Sequence, residues 1–231
     1  MGEPFKLEQL SSSEGETFRQ LYAIYAASIA AREQKREAWI AAMIEAPEYH
    51  VWVAKAGGLV RGFSILFVPA AGGFALLEYM AVAPDQRNHG LGAELFRRTV
   101  AHAVTPEGRP LPVLLEVDSD REDASDRALR TRREGFYRRL GCLRIAGLRY
   151  LMPLAGEGSP PEMDLLVYAA KPPGSPARSE VPRGEVPRSE VPRSEVKRWL
   201  ETIYTDVYHC SPDDPRLAQM VAGLPDPVPL D

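Results

Sequence analysis

Between a strand-like run and a helix-like run the chain reads Arg87-Asn88-His89-Gly90-Leu91-Gly92, preceded by MAVAP (80–84) and followed by AELFRRTV (93–100). A helix N-terminus presents backbone N–H groups without intrahelical partners and a partial positive charge, which suits a pyrophosphate. Gly90 and Gly92 let the backbone approach without a Cβ in the way, and Arg87 adds a fixed positive charge. The stretch lacks the Lys-Ser/Thr pair of a P-loop, which argues against a nucleoside triphosphate. Taken alone, the six residues also describe an ordinary glycine-eased turn. Their company decides.

Working outward, the elements come in a definite order. FKLEQL (5–10) alternates as a short strand, and Phe18, Leu21, Tyr22, Tyr25 and Ile29 recur at helical spacing. A second helix carries Trp39, Ile40, Met43 and Ile44, and Pro47 stops it. YHVWVAKA (49–56) turns through Gly57-Gly58 into LVRGFSILFV (59–68), a hairpin signal, and FALLEYMAVA (74–83) follows. These hairpins exclude the β-α-β layout of a dinucleotide-binding domain. The helix after the glycines has Leu91, Leu95, Val100 and Val104 among its apolar positions and ends near Pro106. PVLLEVD (112–118) is a buried-strand run, DSDREDASD an acidic loop, and an arginine-rich helix runs through GFYRRLG (135–141). LRIAGLRYLM (143–152) and EMDLLVYAA (162–170) are read as the last two strands. The order β-α-α-β-β-β-α-β-α-β-β predicts an α/β fold on a mixed sheet, partly antiparallel and partly parallel.

Past residue 172 the composition shifts to EVPRG (180–184), EVPRS (185–189) and EVPRS (190–194). Proline at every fifth position forbids a helix, and the Glu/Arg alternation keeps the stretch solvated, so 173–194 is expected to be an extended linker between a domain at 1–172 and a C-terminal part at 195–231. There Ser194 is placed to cap a helix whose stripe is Val196, Trp199, Leu200, Ile203 and Val207, expected to dock on its own domain. The net charge is −4 and there are two cysteines, Cys142 and Cys210, without C-x-x-C spacing. Those features argue against binding nucleic acid by bulk charge, against a disulfide framework and against a zinc site. With no run of ~20 apolar residues and no leader-like start, the expectation is a cytoplasmic protein with no membrane contact and no metal.

Three motifs in register carry a family resemblance over residues 5–170: the Arg87–Gly92 loop after MAVAP, GFYRRLGC (135–142), and LLEV (114–117). Together they resemble the GCN5-related N-acetyltransferase (GNAT) superfamily. That resemblance implies a GNAT-like fold and acetyl-CoA as cosubstrate. It places the pyrophosphate on Arg87, Asn88, His89, Gly90, Leu91 and Gly92, and the pantetheine arm on the backbone around Met80, Ala81 and Val82, with an amide there polarising the thioester oxygen. Tyr137 corresponds to the tyrosine that protonates the departing thiolate. Two carboxylates compete as base, Glu116 first and Glu78 second. The family's asparagine before the tyrosine is replaced by Arg130.

The function expected is acetyl transfer to a primary amine, on a small molecule or a protein, by direct attack in a ternary complex. A non-catalytic acyl-CoA-binding module tethered to a partner-binding helix, and a transferase of a longer acyl group, stay open as alternatives. So does the assembly, with a homodimer among the options. Arg130, Arg132, Arg133, Arg138 and Arg139 are expected to pair with the neighbouring acidic loop. The loop at 152–164, with Glu157, Glu162 and Asp164, is expected to favour a cationic acceptor.

Overall fold

The structure, a computed structural model, describes residues 5–121, 126–153, 162–169 and 190–231. It forms two compact units, Met1–Val113 and Leu114–Asp231.

In the first unit, β1 (Lys6–Gln9), β2 (Tyr49–Ala56), β3 (Leu59–Phe67) and β4 (Ala75–Val82) pair antiparallel in that spatial order. Gly57 and Gly58, at φ 57° and 76°, make the two-residue turn between β2 and β3, where Ala56 faces Leu59. Positive φ at both central residues matches the right-handed twist of the strands, and glycine adopts it without strain. Alternation then decides which side chains go inside. Val51, Val53, Phe63 and Ile65 form one core cluster with α1 (Glu16–Ser28) and α2 (Glu37–Glu45), which contribute Phe18, Leu21, Ile24, Tyr25, Ile40 and Met43. Burying each of these large side chains contributes about 1.5–3 kcal/mol.

α3 (Leu91–Val100) is oriented on β3 by a buried polar pair, the hydroxyls of Ser64 and Thr99 at 2.7 Å. A Cβ on Gly62 would stand 2.9 Å from the carbonyl oxygen of Ala81, so glycine permits the close approach of β3 to β4 there. The sequence carried α3 on toward Pro106. It ends at Val100 instead, and Val104 bridges Pro110 in the next turn.

The second unit holds β5 (Val113–Asp118) from Leu114 onward, α4 (Arg127–Arg139), β6 (Leu143–Arg144), β7 (Tyr150–Leu151) and β8 (Glu162–Tyr168). One strand was expected at 143–152. A turn with Gly147 at φ 77° splits it into β6 and β7, both antiparallel to β8. The chain continues through β9 (Glu190–Val191), α5 (Arg193–Thr202), a widened turn at Ile203–Val207, α6 (Pro215–Ala222) and β10 (Val228–Pro229).

This C-terminal segment docks within its own unit. Val196, Trp199, Leu200, Ile203 and Val207 are all buried, as the apolar stripe required. The chain end is pinned by Arg144 N to Asp231 O at 2.7 Å and Ala146 N to Pro229 O at 2.9 Å. Two details differ from expectation. Pro192, not Ser194, stands at the N-cap of α5. The last repeat copy is not linker, because Glu190 and Val191 pair with Pro229 and Val228. The earlier copies lie outside the described residues.

Candidate active site

The Arg87–Gly92 stretch is built as a helix entry. Asn88 has φ 66° and Gly90, the N-cap of α3, has φ 84°. Asparagine and glycine tolerate this left-handed backbone better than most residues. No side chain caps the helix, so its first N–H groups are not spent on a capping oxygen. Arg87 is held by its own unit: Nη2 donates to Ser28 Oγ at 3.2 Å and Nε to the Val82 carbonyl at 3.4 Å. His89 is exposed.

β4 carries Glu78, Met80, Ala81 and Val82. Opposite β3, Ser64 faces Met80, Phe63 faces Ala81 and Gly62 faces Val82. Ile65 pairs with Tyr79 but Leu66 with Leu77, so Glu78 is the extra residue of a β-bulge. Its carboxylate is almost fully buried, 3% exposed, and Oε1 lies 2.6 Å from Lys35 Nζ, itself 17% exposed. Around this pair, Tyr25 accepts from Lys35 N at 2.7 Å and Tyr79 donates to the Glu33 carbonyl at 3.3 Å. Lys35 was not singled out in the sequence, where it follows α1 without any motif.

In the second unit Glu116, on β5, accepts hydrogen bonds from two phenols. Tyr150 donates to Oε1, and Tyr208 donates to Oε2 at 2.8 Å. Burial, then the Glu116 charge, push the Tyr150 phenol well above its ordinary range. Neither tyrosine was foreseen. Tyr150 sat in an apparently regular strand, and Tyr208 lay beyond the repeat.

Tyr137 lies in the last turn of α4, its ring edge-on to Phe136 at 5.1 Å. Burial raises its phenol to about 12 against the opposing charge of Arg133, so it stays protonated across the neutral range. Burial likewise raises the Cys142 thiol to about 12, and it raises the Cys210 thiol. Both cysteines therefore remain poor nucleophiles, since the thiolate is the reactive form.

Three arginines of α4, Arg130, Arg133 and Arg138, pair with acidic neighbours. Arg130 is buried, with Nε on Asp126 at 2.9 Å and Nη1 on the Ser119 carbonyl at 3.1 Å. Arg133 reaches Asp118 at 2.5 Å, and Arg138 reaches Glu134 at 2.9 Å. Asp164 corrects the expected acidic acceptor loop. It is on β8, fully buried, and ion-paired with Arg121 at 2.8 Å. Burial raises its pKa despite that partner. Glu157 lies outside the described residues. Among the described residues no group of three His, Cys, Asp or Glu could hold a metal ion, and no helix is long and apolar enough to cross a membrane.

A mostly antiparallel sheet with helices against it defines a mixed α/β protein, and α3 starts after β4 with no side-chain cap. Residues 47–141 match the family model described as an acetyltransferase (GNAT) domain. That match agrees with the resemblance carried by the three motifs and covers well under half of the chain.

Solved structures agree at the level of fold. A GNAT-family protein from Bacteroides thetaiotaomicron aligns at TM-score 0.64 and 18% identity over 89% of this chain and 99% of its own. Ard1 from Thermoplasma volcanium gives 0.52 and 19% over 72% and 99%. An acetyltransferase of Bacillus subtilis, solved in complex with CoA, gives 0.50 and 15% over 72% and 99%. Residues 1–189 make up less than 89% of the chain, so the Bacteroides alignment enters Glu190–Asp231. No protein of curated function matches.

Proposed function

We propose that this protein transfers an acetyl group from acetyl-CoA to a primary amine, by direct attack in a ternary complex. The observation that carries the reading is the uncapped start of α3, with Asn88 and Gly90 at positive φ, inside a matched acetyltransferase domain. Its free N–H groups and the helix dipole suit a pyrophosphate, and the backbone at Met80, Ala81 and Val82 is the matching place for the pantetheine arm. When bound, acetyl-CoA supplies an activated thioester.

Glu116 takes up the proton that the amine sheds as the N–C bond forms, directly or through a water. The phenols of Tyr150 and Tyr208 donate to its two oxygens. Glu78 is the weaker choice, because Lys35 already compensates it. Tyr137 returns a proton to sulfur as the C–S bond breaks. A phenol near 12 does this only for a thiolate that is itself stripped of water, since a solvated thiolate has a pKa of about 8.5. Cys142 and Cys210 stay protonated, which favours direct attack over a covalent enzyme intermediate.

The test is a thermal-shift titration with acetyl-CoA, with ATP and NAD as controls. At a hundredfold excess over Kd, binding adds about 2.7 kcal/mol, a shift of several degrees for a chain of this size. A shift with acetyl-CoA alone, followed by CoA release on adding primary amines, supports the reading. No shift at millimolar acetyl-CoA removes it.

A further inference from the structure

Glu78 and Tyr79 are consecutive on β4, yet both hold one stretch of the linker between α1 and α2. Glu78 Oε1 meets Lys35 Nζ at 2.6 Å, and Tyr79 donates to the Glu33 carbonyl at 3.3 Å. We propose that Lys35 is a positioning residue for the cosubstrate: its pair with Glu78 fixes the β4 bulge at one residue, and so sets the backbone of Met80–Val82 for the pantetheine arm. The inference rests on the reading of β4 as the acetyl-CoA strand.

The geometry argues for it in three ways. First, successive side chains of a regular strand point to opposite faces. Here two neighbours reach the same linker, because Glu78 is the extra residue between the pairs Ile65–Tyr79 and Leu66–Leu77. Were the bulge to move by one position, Glu78 would enter the ladder and its carboxylate would turn away from Lys35. That carboxylate is 3% exposed, and Lys35 is its only ion partner among the described residues. A charge carried into the sheet without its partner is costly, which opposes any other register.

Second, the apolar pattern alone does not choose the register. Ala75, Leu76 and Leu77 are all buried, and so are Ile65, Leu66 and Phe67 on β3. A one-residue slip exchanges the two faces of a strand. Where apolar side chains are buried on both faces, the exchange sends none of them into water. A charge pair does discriminate, and fixing a register is the best-attested use of such a buried pair.

Third, the linker is anchored and reaches the next part of the site. Lys35 N donates to the phenol of Tyr25 at 2.7 Å, and Tyr25 is fully buried on α1 with its ring edge-on to Tyr79 at 5.1 Å. At the start of the same stretch, Ser28 Oγ accepts from Arg87 at 3.2 Å, and Arg87 Nε reaches the Val82 carbonyl at 3.4 Å. Ser28–Lys35 therefore holds both the bulge ahead of Met80–Val82 and the first residue of the Arg87–Gly92 turn. A displaced bulge changes which peptide groups of Met80–Val82 face β3 and which face away, since the two alternate along an antiparallel ladder.

Lys35→Met/Glu78→Leu in the full-length protein removes both charges and keeps the apolar bulk. Two readouts are expected to move. Backbone NOEs between β3 and β4 pair Ile65 with Tyr79 in the wild type, and in the double variant a second pairing appears, Ile65 with position 78. The Kd for acetyl-CoA, by isothermal titration calorimetry, rises about tenfold, as it does when about a tenth of the molecules keep the binding register. Lys35→Arg retains the pair and is expected to keep the wild-type NOEs. A double variant that shows the wild-type register alone, or an unmoved Kd, overturns the inference. If the double variant does not fold, Tyr79→Phe removes the second anchor and is read in the same way, with a rise in Kd of about threefold, the scale of one hydrogen bond. The two failures are distinct. Wild-type protein that binds no acetyl-CoA sinks the proposed function and this inference with it. Wild-type protein that binds, beside a double variant that matches it, sinks this inference alone.

Discussion

The two glutamates that compete for the role of base have been given opposite surroundings. Glu78 sits at a bulge of β4, its side chain 3% exposed, with a lysine ammonium 2.6 Å away. Glu116 is half-buried on β5 and meets two phenols. An ammonium neutralises a carboxylate and locks it into the architecture, because breaking a buried pair strands a charge. Phenols donate hydrogen bonds to a carboxylate and carry no opposing charge of their own. The difference teaches that two strand glutamates of one chain can meet partners of different kinds, an ammonium for Glu78 and phenols for Glu116.

That contrast can be broken or sharpened by substitution. The largest expected effect is on stability. Lys35→Met strands the Glu78 charge and lowers the unfolding free energy by about 3–5 kcal/mol in urea melts, and Lys35→Met/Glu78→Leu recovers much of it. A Lys35→Met protein as stable as wild type would mean the pair is not structural. Next, Tyr137→Phe lowers kcat about 10²-fold with acetyl-CoA binding intact, the usual scale of a positioned acid. Unchanged turnover would take Tyr137 out of the chemistry.

A smaller loss, about 1–3 kcal/mol, is expected for Gly62→Ala, whose new Cβ meets the Ala81 carbonyl at 2.9 Å. The smallest effect is a slope. Cys142 and Tyr137 are raised to about 12 in the folded chain, above their ordinary values of 9.0 and 10.0. The unfolded chain therefore loses these protons first. Stability is full below pH 9 and declines as pH rises toward 12. Cys142→Ala should flatten the early part of that decline in alkaline melts.

Much of this was legible in the sequence. Gly57-Gly58, the β2–β4 alternation and the Arg87–Gly92 entry are local signals, and each appears where local chemistry put it. Other features were set by partners far along the chain. Lys35 has meaning only beside Glu78, 43 positions on by number. Tyr208 meets Glu116 across 92 positions. No periodicity reports such a meeting. The last repeat copy, 190–194, is a further case, since Glu190 and Val191 pair as a strand with Pro229 and Val228. Asp164 looked like loop surface because acidic residues are seldom buried, and its partners Arg121, Arg144 and Ser119 come from other parts of the chain.

The most direct measurement is steady-state CoA release with a primary amine, comparing Glu116→Gln and Glu78→Gln in the full-length protein, with folding checked by circular dichroism. Glu116→Gln is expected to lose about 10²-fold or more in kcat at unchanged KM for acetyl-CoA, while folded Glu78→Gln stays close to wild type. The opposite pattern, an inactive Glu78→Gln and a fully active Glu116→Gln, would contradict the account and move the base to β4.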